Sequence, residues 1–205
     1  VLDTGVYSNT GGQASKATPR GAVAKFAAGG KSVRKKDLGL IAAAYGNVYV
    51  AQIALGANPK QTLEAFREAQ SWHGASLLIA YSHCIAHGIE MTSAMGHQRE
   101  AVTSGFWPLF RYDPRLSAAG AHPFQLDSAK PRIPFQDFAA KEGRFAMLAR
   151  ANPERAAMLM RAAQADIDEQ YRYYAQLAGV ERNVAASERS EAAHESRTQK
   201  EEVPS

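Results

Sequence analysis

Cysteine is nearly missing from this chain of 205 residues: Cys84 is the one thiol. A disulfide within the chain is excluded, and a reducing, cytoplasmic setting fits. No apolar run approaches the ~18 residues that a spanning helix needs, so no membrane segment is expected. The first residues carry no charged stretch followed by an apolar one, so no signal peptide is read there. An initiating Met is lacking, and residue 1 is taken as a cut inside a longer polypeptide. Charge of one sign is also scarce. Lys and Arg number 24 against 20 Asp and Glu, for a formal net charge of +4, and no basic block of five forms. Nucleic acid is therefore not expected as a partner. The densest basic stretch, KSVRKKD at 31–37, reads as a solvated loop, with a phosphate or acidic-partner contact as the alternative.

What is present is a globular composition, 45% hydrophobic, with room for a core. The opening VLDT reads as a strand end entering a tight polar bend, SNTGGQ at 8–13. DLGLIAAAYG at 37–46 predicts a short helix capped by Asp37 and stopped by Gly46. NVYVAQIA at 47–54 is β-branched and aromatic, a strand. Asn58-Pro59 opens a helix over 58–74, with Leu63, Phe66 and Gln70 on one face and Glu64 and Arg67 on a wetter one. ASLLIAYS at 75–82 predicts a strand buried on both sides. A helix is expected within 89–105. The alternation of strand and helix argues for α/β architecture, a parallel sheet flanked by helices. After Trp107 the Pro-rich texture suggests an extended excursion containing a hairpin. Asn152-Pro153 starts another helix that ends near Gly179. The expected division is 1–106 as an α/β unit, 107–179 as an extended segment and helices packed on it, and 180–205 as a disordered tail, charged and poor in large apolar residues.

Thr4, Ser8, Asn9 and Thr10 place four oxygen-bearing side chains within seven residues, directly after a strand. Ligands of open α/β sheets bind beyond the carboxyl ends of strands. Hydroxyl and carbonyl oxygens suit a hard cation such as Mg²⁺, and Gly11-Gly12 would let backbone N–H groups approach a phosphate. By itself such a turn is as well read as a plain turn. Cys84, in AYSHCIAHGIEM, reads either as a small buried hydrophobe or, with His87 three residues on, as one metal-ligand pair with no second pair following at zinc spacing. His97 and Arg99 read as helix-surface or interface residues.

DTGVYSNTGGQASKATPRGAVAKFAAGGK resembles the thiamine-diphosphate domain of pyruvate:ferredoxin (flavodoxin) oxidoreductases, and Y-x-N-T-G-G-Q is similar to a turn of the wider 2-oxoacid:ferredoxin oxidoreductases. The likeness runs through KKDLGLIAAAYGNVYVAQIALGA, TLEAFREAQSWHGASLLIAYSHCIAHGI and PFQLDSAKPRIPFQDFAAKEGRFAMLARANPE, roughly residues 1–178. It implies the C-terminal part of a thiamine-diphosphate-binding fold. By this resemblance Thr4 offers its hydroxyl and Val6 its carbonyl to Mg²⁺, and Asn9 lies against the cofactor near the bound 2-oxoacid. Cys84 supplies the fourth thiolate of a [4Fe–4S] cluster, the other three coming from upstream sequence. The family's Gly-Asp-Gly motif is expected before residue 1, and Gly5 stands where relatives often carry a larger polar residue. The implied reaction is oxidative decarboxylation of pyruvate with coenzyme A to acetyl-CoA and CO2, with electrons passed to ferredoxin or flavodoxin by a full-length homodimer. The alternatives are an oxidoreductase for another 2-oxoacid, or a non-catalytic remnant.

Overall fold

A computed structural model describes residues 1–180. The residues expected to form a tail fall, from 181 on, outside the described residues. The fold is α/β. Five strands form one open sheet in the order β1-β3-β2-β4-β5. These are β1 (Leu2–Asp3), β2 (Tyr49–Ile53), β3 (Ser76–Tyr81), β4 (Phe110–Tyr112) and β5 (Phe124–Leu126). β1, β3 and β2 run parallel, and the expected hairpin follows, with β4 antiparallel to β2 and β5 antiparallel to β4.

Local signals set the helices that flank the sheet. In α1 (Leu38–Ala43) the Asp37 carboxylate accepts from Leu40 N at 2.9 Å. In α2 (Pro59–Ser71) Asn58 caps Gln61 N at 3.0 Å, and in α7 (Pro153–Ala178) Asn152 caps Arg155 N at 3.0 Å. Both helices have Pro at the first position, where the missing N–H has no intrahelical partner to lose. α3 (Ala94–Thr103), α4 (Pro114–Ala118), α5 (Phe135–Ala139) and α6 (Gly143–Ala151) complete the set.

β2 is the strand buried on both faces. Tyr49, Ala51 and Ile53 face Ala65 of α2, while Val50 joins Phe110, Phe124 and Tyr174 on the opposite face. The expectation of two-sided burial for 75–82 is corrected: β3 is mostly half-buried, because it stands one place from the sheet edge beside the two-residue β1. α2 is corrected too. Leu63 and Phe66 are exposed, and the helix buries Gln61, Thr62 and Ala65. Beyond Ile79 and Tyr81, α5, α6 and α7 bring Phe135, Phe138, Phe145, Ala163 and Ile167 against Trp107 and Leu109 to form the main core.

Candidate functional site

The parallel strands β1 and β3 finish level with each other: Asp3 pairs with Tyr81, and Ser82 N donates to Asp3 O at 3.1 Å. The segments that follow them therefore leave the same edge side by side. One carries Thr4, Val6 and Asn9; the other carries Cys84. The turn 7–13 is closed by Tyr7 N to Gln13 O at 3.0 Å and Gly12 N to Tyr7 O at 2.9 Å. Gln13 clamps it through its side chain, with Nε2 donating to Thr10 O at 2.8 Å. Gly11 has φ 103°, a region closed to most side chains, and a Cβ there would meet Lys25 Nζ at 2.7 Å. The Gly12 Cβ position lies 3.7 Å from Ala86 Cβ, so the two segments touch.

Thr4 Oγ1 donates to Val6 O at 2.9 Å and stands 3.4 Å from Ser8 Oγ. The structure thus brings Thr4 and Val6 together. Asn9 lies exposed on the one-turn 3₁₀ helix Ser8–Thr10. Cys84 is partly exposed in extended backbone just after β3, not sealed in the core. Among the described residues no group of three or more His, Cys, Asp and Glu is placed to hold a metal. Asp3 is already committed: Oδ1 accepts from Gly5 N at 2.9 Å and Oδ2 from Lys35. Any cation held by Thr4 and Val6 would meet only neutral oxygens from this turn.

The basic stretch 31–37 is not uniformly solvated. Lys31 donates to Ser15 O and Thr18 O at 2.7 Å each, and Lys35 pairs with Asp3. Burial lowers the Lys35 ammonium below its usual range, and Asp3 offsets only part of that shift. A cavity of about 460 Å³ opens behind this loop, lined by Arg20, Lys35, Asp37, Trp107, Asp166 and Tyr174; none of Thr4, Val6, Asn9 or Cys84 lines it.

The expectation for His97 is corrected. It is buried, stacks on Phe138 at 4.5 Å, and bonds through Nε2 to Glu142 Oε1 at 2.9 Å. Glu142 is fully buried, and its Oε2 accepts from Arg144 Nε at 2.5 Å. Burial alone would raise this carboxyl, but the Arg144 guanidinium and then the hydrogen bond from His97 hold it below the usual carboxylate range. Arg99 is exposed, as expected. His87 is 1% exposed, with Nε2 2.6 Å from Thr4 O. Burial, then Arg144, pushes its imidazole down to about 4, so the ring is neutral at neutral pH. A carbonyl only accepts, so Nε2 carries the proton. His87 is therefore spent on the turn rather than paired with Cys84 over a metal. Sequence reasoning missed Glu142, Arg144 and this use of His87; the one local hint was CIAHG, a histidine between the thiol and a glycine.

The class defined so far is an α/β chain with an oxygen-lined turn and a thiol segment meeting at the carboxyl edge of its parallel strands. No family model matches the chain. Its relatives are specific. A Synechocystis protein is 59% identical over 178 residues. The pyruvate-flavodoxin oxidoreductase of Trichormus variabilis is 56% identical over 181 residues, and the pyruvate:ferredoxin oxidoreductase of Moorella thermoacetica 51% over 178. These alignments take in 87–88% of the chain and 15% of each relative. The chain is homologous to that stretch of these oxidoreductases and spans about 15% of their length. No helix among the described residues is long and apolar enough to cross a membrane.

Proposed function

We propose that this chain is a segment of a pyruvate-flavodoxin or pyruvate:ferredoxin oxidoreductase, contributing one side of a Mg²⁺–thiamine diphosphate site and one thiolate of a [4Fe–4S] cluster. The observation that carries the reading is the 2.9 Å between Thr4 Oγ1 and Val6 O, beyond the end of a parallel strand. Neighbouring oxygens around an octahedral Mg²⁺, at ligand distances of 2.0–2.1 Å, stand about 2.9 Å apart. The donors are neutral, so the charge of the ion falls to the diphosphate and to a carboxylate outside this turn. Thiamine diphosphate, when bound, supplies the carbon nucleophile and electron sink for decarboxylating a 2-oxoacid. Thr4 and Val6 would anchor its diphosphate through the metal, and Asn9, exposed next to them, would orient the 2-oxoacid. Cys84, on the adjoining segment, would hold the cluster close enough to take the electrons. Coenzyme A would accept the acetyl group, and ferredoxin or flavodoxin would carry the electrons away.

The test uses the full polypeptide containing these residues. Thr4→Val should raise the Mg²⁺ concentration needed for thiamine diphosphate binding roughly 10-fold or more, with iron content unchanged. Cys84→Ser should lose about one cluster's iron while thiamine diphosphate still binds. Unaltered Mg²⁺ dependence in the first variant, or full iron content in the second, would remove that residue from the site.

A further inference from the structure

The residue at the centre of the metal turn is a glycine, the one residue type that does not hold its own φ. Gly5 has φ +69° and is buried. Its two peptide planes must be fixed from outside, and three side chains do so. Gly5 N donates to Asp3 Oδ1 at 2.9 Å. Gly5 O accepts from the fully buried Thr18 hydroxyl. On the Thr4–Gly5 peptide, Thr4 O accepts from His87 Nε2 at 2.6 Å. That last bond sets the peptide following Thr4, and so bears on the Thr4 hydroxyl and the Val6 carbonyl that face each other.

His87 is held in turn by what surrounds it. Its backbone N–H donates to Cys84 O at 2.9 Å, so the strut rises from the thiol segment itself. Its Nδ1 faces Glu142 Oε1 at 3.9 Å and has no hydrogen-bond partner. Glu142 is fixed by Arg144 and His97. The corner that carries Glu142 lies against the thiol segment through Gly143 N to Gly88 O at 3.1 Å; a Cβ on Gly88 would fall 2.9 Å from Gly143 Cα, so only glycine permits that approach.

We propose that His87 is a positioning residue: by donating to the Thr4 carbonyl it fixes the Thr4–Gly5 peptide in the orientation that sets the metal turn, and it ties that turn to the Cys84 segment. This inference rests on the reading of the turn as a Mg²⁺ site. It adds a residue that touches neither metal nor substrate, and partners of this kind typically govern metal affinity by 10–100-fold.

The experiment compares His87→Leu and His87→Gln in the full polypeptide, with Thr4→Val alongside. The amide nitrogen of Gln can take the place of Nε2; Leu offers no donor. The measurements are the Mg²⁺ concentration for half-maximal thiamine diphosphate binding, followed by tryptophan fluorescence, and iron content. His87→Leu should raise the Mg²⁺ requirement roughly 10–100-fold, His87→Gln should stay within about 3-fold of the parent, and iron content should be unchanged in both. If the Leu variant does not accumulate folded, His87→Asn, whose shorter amide does not reach Thr4 O, takes its place. A role in folding alone would damage Gln and Leu alike without moving the Mg²⁺ requirement, and that result overturns the proposal. If Thr4→Val raises the requirement and His87→Leu does not, the role of His87 alone is refuted. If neither raises it, the metal turn fails and the strut with it.

Discussion

A carboxylate sealed from water is tolerable only where opposite charge and hydrogen-bond donors meet it on the spot. Glu142, Arg144 and His97 are such a set, all buried in one corner behind the Thr4–Val6 turn. The groups facing Glu142 are Arg144, His97, His87 and the neutral phenol of Tyr81, whose ionisation burial and then Glu142 push up. Its carboxyl is held below the usual carboxylate range in the folded chain, so the unfolded chain takes up the proton first as acid is added. The stabilisation it brings is fully present above the ordinary carboxylate value and is lost as pH falls through the depressed one. Glu142→Gln should therefore cost about 3–5 kcal/mol at neutral pH, since Arg144 is left buried without its counter-charge. The gap between variant and parent should narrow as the pH falls below the ordinary carboxylate range. Urea unfolding at a series of pH values measures it, and a gap that does not change with pH would refute the account. At this scale the opening bend was readable as a polar turn because Thr4, Ser8, Asn9 and Thr10 lie within seven residues. Glu142 was not: in AAKEGRF it looks like a solvated helix corner, and its partner His97 is 45 positions away.

Elements show the same division. Caps were legible because Asp37, Asn58 and Asn152 each bond to an N–H three residues on. The face that α2 turns inward was not. Leu63 and Phe66 make the apolar stripe, yet the helix buries Gln61, Thr62 and Ala65. The buried positions answer to the sheet: Gln61 Nε2 bonds Gln52 O at 3.2 Å and Asp127 Oδ2 at 3.0 Å. Arg111 fastens the hairpin to this same helix. It meets Asp127 through two bonds of 2.9 Å and Glu68 at 2.6 Å. Arg111→Ala would leave two half-buried carboxylates facing each other and should cost about 3–5 kcal/mol, against about 1 kcal/mol for loss of the cap in Asn58→Ala. Chemical denaturation of the two variants compares them directly. A smaller loss for Arg111→Ala than for Asn58→Ala would mean that the hairpin is held by packing instead.

Across the whole molecule, burial is uneven. β2 is enclosed on both faces, paired on both edges and packed against α1 and α2, while the β4–β5 hairpin ends the sheet in a half-buried strand. Opening free energy follows such burial. Amide hydrogen exchange should be slowest at Val50–Gln52 and faster at Phe124–Leu126; the reverse order would contradict the placing of the core on β2. The sequence by itself determined what neighbours along the chain can settle: the caps, the glycine-bearing bend, the strand–helix alternation, and the thiol next to a strand end. Each rests on a bond or a backbone preference spanning a few residues, so a short window contains its whole cause. Tertiary structure decided which strand is central, which side of α2 is covered, and that His87 reaches Thr4 across 83 positions while Glu142 and Arg144 close in behind it. Those outcomes depend on which surfaces meet when the sheet is assembled, and that is fixed by total burial and the pairing of buried charges rather than by any local pattern.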